Sequence, residues 1–342
     1  MFKRVTHATA FALAIAAMLP CPSEAQSPAD FYKGKTVYLQ IGSGVGGGFD
    51  TIGRLFGRHI GKHIPGNPNV VPQNVPGGGS LQLANQFANT TPRDGTVFAI
   101  LNNGAPMTPL LTPSAAKFDP REFLWIGSPI REAFILIAWH TAPAKTMEDL
   151  FKVETVAGST GPGGANYDFP FLTNAVIGTK FKIVTGYSSS NETKLAMERR
   201  EIDAYAGVGL AALSEYAEEL KNGKIKALAA FGMKKNAKLL GVPLLSIGKT
   251  DEEKQLFQLM YAREDFGRPF ITPPDVPADR LAALREAFLL TLKDPDFMAD
   301  AKKLNLELDP VSWQELTQLT NKLYETPEPV VKRMQGIMAL MK

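Results

Sequence analysis

Cysteine is almost missing from this chain: Cys21 is the single example among 342 residues. One thiol excludes an intrachain disulfide framework and any cluster of thiolate metal ligands. Histidine is scarce as well, four in all. His59 and His63 stand four apart at helical spacing, which would let both reach one metal ion. No third ligand accompanies them, and His59 falls on the apolar side of its helix, so both read as packed or surface residues. His140, beside Trp139, reads as structural. No charge of one sign dominates: 37 basic residues face 34 acidic ones without any block of like sign. That argues against a nucleic-acid surface. Enzyme signatures are absent too. There is no Gly-x-Ser-x-Gly elbow and no Walker loop, and no enzyme is expected.

Long apolar runs are also lacking, apart from Ala8 to Leu19. That run follows Lys3 and Arg4 and is too short to span a bilayer. Pro20 and Pro22 break it, and Ser23-Glu24-Ala25 offers small residues to a signal peptidase. Residues 1–25 are therefore expected to be a signal peptide cut between Ala25 and Gln26. A retained anchor and a lipoprotein at Cys21 are the rivals, but Pro20 before the cysteine makes a poor lipobox. The cut would remove the only thiol. Removing Lys3, Arg4 and Glu24 from 37 basic and 34 acidic residues leaves 35 and 33.

Glycine (30) and proline (25) are plentiful and imply many tight loops. The length suits two domains of about 100–200 residues. Strands are expected at 36–41, 69–75 and 96–101, with helices over 50–64 and 81–89 between them. This β-loop-α alternation implies a parallel sheet with right-handed crossovers. It resumes with strands at 134–139, 155–158, 182–185, 203–206 and 226–231. Helices are expected at 146–151 and 167–177, after Ser188, and over 210–222. The last third is mostly helical: Leu281, Leu284, Phe288 and Leu292 form a stripe, and Ser312-x-x-Glu315 is a capping box.

Gly42-x-Gly44-x-x-Gly47 matches a dinucleotide fingerprint between strand and helix. The acid that would hold a ribose at the end of the next strand is missing from Asn69 to Val75, and export argues against a nicotinamide enzyme. No cofactor is expected. The same loop serves a simpler purpose, since exposed backbone N–H groups at a helix start hold an anion. Three further loops share this design: Gly77 to Ser80, Gly158 to Gly164, and Ser188 to Asn191. Four such loops at the strand ends point to an acceptor-rich ligand held by neutral donors, which still make charge-assisted bonds to a carboxylate. Arg131 and Arg263 are candidates to pair with it, although a surface role is the default for each. Phe49 and Tyr187 are candidates to wall the pocket.

At these loops the chain resembles the tripartite tricarboxylate transporter receptors, or Bug family. The resemblance covers the sequence after the leader. Its marks are Phe31-Tyr32-Lys33-Gly34-Lys35, Gly47-Gly48-Phe49-Asp50, Asn74 to Gly79, Pro92-Arg93-Asp94-Gly95-Thr96, the 158–166 loop, and Gly223 to Ala229. The resemblance implies a two-lobed α/β clamshell of the periplasmic-binding-protein type, each lobe a mainly parallel sheet flanked by helices, with two crossovers. Residues 26–135 plus 257–342 would form one lobe and 136–256 the other. First-lobe ligand contacts would come from Gly46, Gly47, Gly48, Phe49, Asp50, Gly78, Gly79, Ser80, Asn102 and Asn103. Second-lobe contacts would come from Ser159, Thr160, Gly164, Ala165, Asn166, Tyr187, Ser188, Ser189, Asn191 and Gly207. Asp50 reads better as a helix cap than as a contact. The implied protein is a monomeric periplasmic receptor that hands a small organic carboxylate to membrane permease subunits. A periplasmic sensor of the same ligands is the alternative. An exported hydrolase or isomerase, or a structural protein without ligand, would follow if the donor loops had another purpose. The family's proline-rich first loop is Gly42 to Gly46 here, and its usual Tyr-Lys-Gly is Gly186-Tyr187-Ser188, so the ligand does not carry over from relatives.

Overall fold

The computed structural model describes residues 26–340 except 235–238, 240 and 246. The expected leader, its cleavage site and Cys21 lie outside the described residues, save for Gln26. Among the described residues no helix is long and apolar enough to cross a membrane.

Strand β1 (Thr36–Ile41) buries Val37, Leu39 and Ile41 and leaves Tyr38 outward, the period of two that a pleated strand imposes. Helix α1 (Gly48–His59) follows and turns Ile52, Leu55, Phe56 and His59 inward. It starts two residues before its expected position, because Gly47 is extended and acts as the N-cap. A 3-10 turn, Ile60–His63, replaces its expected last turn, and Ile64 is extended ahead of Pro65. β2 (Asn69–Asn74), α2 (Leu81–Asn89), β3 (Val97–Ile100) and β4 (Leu124–Ser128) complete the first pass.

The second block contains β5 (Phe134–Trp139), β6 (Thr155–Ser159), α3 (Ala165–Ile177), β7 (Phe181–Thr185), α4 (Ser190–Glu198), β8 (Ala204–Gly209) and β9 (Ile225–Phe231). The helix expected over 210–222 is divided into Leu210–Leu213, a 3-10 turn Ser214–Tyr216, and Ala217–Lys221. The chain then returns through α5 (Asp251–Tyr261), β10 (Phe270–Thr272), α6 (Ala278–Lys293), α7 (Pro295–Lys303), β11 (Val311–Ser312), α8 (Trp313–Tyr324) and α9 (Glu328–Met338).

The strands form two sheets, ordered β11-β4-β10-β3-β1-β2 and β7-β6-β8-β5-β9. The parallel part expected from the β-α alternation is present in each, as β2-β1-β3 and β7-β6-β8. Antiparallel strands complete both, so the sheets are mixed. The chain passes between sheets at 129–133 and 232–269. The lobe limits expected at 135/136 and 256/257 fall inside β5 and α5.

The core has three parts. Beneath the first sheet, Phe56 stacks on Phe288 at 5.0 Å and meets Phe270 and Phe297 at 4.7 and 4.9 Å. A second cluster covers one face of the other sheet, around Ile135, Ile137, Met197 and Tyr216. A third runs across both sheets, from Leu83, Ala99 and Trp125 through Phe134, Phe169 and Phe231 to Phe257 and Met334.

Candidate functional site

All the glycine loops follow parallel strands, so the sheet topology gathers them at carboxyl strand ends. Between them lies a cavity of about 330 Å3.

The first loop is held from behind. Asp50 is buried and accepts hydrogen bonds from Gly46 N, Arg54 Nε and Asn74 Nδ2 at 2.9, 2.9 and 2.8 Å. The Asn74 amide also donates to Ser43 O. Asp50 is therefore a bracket behind the loop, outside the cavity wall. Ser80 plays a similar part. Its backbone is left-handed at φ 73°, and its hydroxyl donates to Gly42 O and accepts from Asn102 N, both at 2.8 Å. It thereby ties the ends of β1, β2 and β3 together.

In the second lobe, Asn166 organises the loop after β6. Its Oδ1 accepts from Ser159 Oγ at 3.2 Å, Thr160 Oγ1 at 3.0 Å and Thr160 N at 3.3 Å. Its Nδ2 donates to Tyr205 Oη at 3.1 Å. Tyr205 thus spends an oxygen lone pair on Asn166 and keeps its proton for the cavity it lines. Burial pushes that phenol up to about 12, so it is a neutral donor.

The two lobes meet over the cavity. Gly44 N donates to Ser188 O at 3.2 Å. Gly79, at φ +59°, lies so close to the next lobe that a Cβ there would be 2.4 Å from the Gly163 carbonyl carbon.

Of the residues expected from the sequence, Gly47, Gly48, Phe49, Gly78, Gly79, Asn102 and Asn103 line the cavity from the first lobe. Thr160, Gly164, Ala165, Asn166, Tyr187, Ser188, Ser189 and Gly207 line it from the second. Asp50, Ser80 and Ser159 sit behind the wall as braces, and Gly46 faces Asn191 at an exposed rim. Loop 188–191 differs from expectation in its chemistry. Ser188 donates both its N–H and its hydroxyl to Glu192 at 2.7 and 2.6 Å, and Ser189 caps the Glu192 amide. These bonds hold the Glu192 carboxyl below its usual range. Ser190 donates to Glu215 at 3.0 Å. The loop's donors are therefore largely used within its own lobe.

The donors left for a ligand come from two helix starts. Neither α1 nor α3 has a side-chain cap: their N-caps are Gly47 and Gly164. Their first turns line the cavity from opposite lobes. First-turn N–H groups have no partner within a helix, and the helix dipole adds positive potential at the same place.

Arg268 is the one charged residue in the described wall, and sequence reading did not find it. It lies between Gly267 and Pro269, ahead of the three-residue strand β10, where no periodicity marks it. Its guanidinium packs 3.8 Å over Phe49 and pairs with buried Glu132 at 2.6 Å. The two arginines considered from the sequence are occupied elsewhere. Arg131 bonds Glu315 at 2.6 Å, and buried Arg263 bonds Asp168 at 2.7 Å. His59 and His63 bond Asp300 and Asp294, and no group of metal-binding side chains occurs among the described residues.

Comparison with known proteins agrees with the fold. The fold is that of the two-lobed periplasmic binding proteins. BugD superposes with a TM-score of 0.69 at 16% identity, covering 90% of this chain and 99% of that one. MatC from Rhodopseudomonas palustris, solved with bound malate, gives 0.65 at 17% identity, covering 89% and 98%. An adipate-bound R. palustris protein gives 0.66 at 18% identity, covering 88% and 97%. In sequence, the chain is 24% identical to a UPF0065 protein of Cupriavidus necator over 96% of its length and 95% of the relative's. The model of the tripartite tricarboxylate transporter family receptors matches residues 60–335. The chain belongs to that family.

Proposed function

We propose that this protein is a periplasmic receptor that encloses a small organic carboxylate between its lobes and delivers it to a membrane permease of the tripartite tricarboxylate type. The observation that carries the reading is the pair of uncapped helix starts, one per lobe, aimed at a shared 330 Å3 cavity. A carboxylate there accepts first-turn N–H bonds from both lobes and so favours the closed arrangement. Arg268, whose charge Glu132 already balances, adds guanidinium hydrogen-bond donors to the wall, and Tyr205 supplies a neutral donor. The malate and adipate held by structurally similar proteins support the same ligand class. The lobes act as two bodies joined by the crossovers at 129–133 and 232–269, and hinge closure buries the ligand.

A thermal-shift and calorimetric screen against mono-, di-, tri- and aromatic carboxylates tests this. The protein is first unfolded and refolded to remove co-purified ligand. A ligand at about 100 times its Kd adds roughly 2.7 kcal/mol. A flat response across all of these classes would reject carboxylate capture.

A further inference from the structure

The charges around the cleft limit how many carboxylates its ligand carries, an inference that rests on the carboxylate reading above. Arg268 is the one charged residue in the described wall, and buried Glu132 balances it at 2.6 Å. Three cations close to the site are engaged as well. Arg54 pairs with Asp50 behind the first loop, Arg263 with Asp168, and Lys194 with Glu219. Glu215, bonded to Ser190 of the wall at 3.0 Å, brings an acid and not a cation to that side.

The positive potential that remains comes from the starts of α1 and α3, about half an elementary charge each. Together they match one carboxylate. A second carboxylate would leave water for a wall that holds no unbalanced cation, and burying a charge without a partner is costly.

The rest of the wall suits an uncharged body. Phe49, Phe134, Tyr187 and Tyr205 contribute rings, and Ala165 and Ala212 contribute methyl groups. Burial raises the Tyr187 and Tyr205 phenols, so both rings are neutral. At about 30 Å3 per non-hydrogen atom, the space one water takes, the 330 Å3 cavity holds about eleven such atoms. We propose that the cleft selects monocarboxylates: one carboxylate on an uncharged, largely apolar body, with about eight to eleven non-hydrogen atoms in all. Selection against a dicarboxylate then comes from the partner its second charge lacks.

The test is calorimetric titration of the refolded protein, at neutral pH, with hexanoate, adipate and monomethyl adipate. Adipate has the chain of hexanoate with a second carboxylate. Its monomethyl ester returns to a single charge without becoming smaller, so the three together separate charge from size. Hexanoate and monomethyl adipate should each bind about tenfold or more tightly than adipate. Glu132→Gln leaves the Arg268 charge unbalanced beside the cleft, so it should raise adipate affinity relative to hexanoate by about tenfold. If that variant does not fold, the ester comparison on the native protein decides. In the wider carboxylate screen, the tightest ligand should carry one carboxylate. Adipate binding as tightly as hexanoate, an ester no better than adipate, or a dicarboxylate as the tightest ligand of the screen would overturn the proposal and leave carboxylate capture standing. A screen flat for every acid rejects carboxylate capture itself, which is a different result.

Discussion

Alanine at position 79 separates the strain of one backbone conformation from the geometry of closure. Gly79 has φ +59°, where an L-residue costs roughly 1–2 kcal/mol. That cost is present whether the lobes are open or closed, and it should lower the melting temperature by about 2–8 °C at 2–4 °C per kcal/mol. The added methyl also meets the Gly163 backbone of the other lobe at 2.4 Å, where 3.4 Å is ordinary contact, so the closed lobes must part by about 1 Å. This second cost falls on the closed form alone. Overpacking of this kind costs about 1–3 kcal/mol, which weakens ligand binding about 5- to 150-fold. Gly178→Ala is the matched control: its φ is +79° and it has no atom within 4 Å of the added methyl. Melting curves without ligand and calorimetric titration with the carboxylate found in the screen distinguish the two costs. Gly178→Ala should melt lower and bind normally, while Gly79→Ala should do both worse. If Gly79→Ala binds within twofold of the native protein, the lobes do not meet at Gly79 when the ligand is bound, and the closure argument is wrong.

Other expectations follow from single contacts. Tyr205→Phe keeps the ring and removes the donor, so carboxylate affinity should fall about tenfold or more in calorimetry. Arg268→Met removes the cation beside buried Glu132 and should cost about 3–5 kcal/mol in urea unfolding, with partial recovery in the Arg268→Met/Glu132→Gln pair. Asp294 caps α7 through the Asp296 and Phe297 amides and pairs with Lys62 and His63, so Asp294→Ala should cost about 2 kcal/mol. Glu264 binds its proton more tightly folded than unfolded. Its contribution is therefore full below about pH 4.5 and is lost as pH rises to about 8, and Glu264→Gln should flatten the fall of melting temperature across that window.

The sequence disclosed those parts of the fold that local rules determine. Strands 36–41 and 134–139 were expected where they occur, because six-residue apolar or alternating runs bounded by loops carry their own signal. Strands β10 and β11, of three and two residues, carry none; pairing with neighbours distant in sequence makes them strands. The same divide runs through the site. Glycine loops announce a wall of the cavity, since their positive φ and helix-start positions are local facts. Arg268 was not legible, because its place depends on β10 and on Glu132, 136 residues earlier. Ser188 was legible as a residue and misleading as a donor: the partner that consumes its proton, Glu192, stands four residues on, in the first turn of α4.

Gly47 and Gly164 leave α1 and α3 without the side-chain oxygen that ordinarily closes a helix start. On the proposed function a bound carboxylate would take the place of that missing oxygen, so the ligand would complete two secondary-structure elements at once. The receptor's filled and empty states then differ in how firmly two helices begin. Amide hydrogen exchange at Gly48, Phe49, Ala165 and Asn166 would then be a direct record of occupancy, legible without following the motion of either lobe.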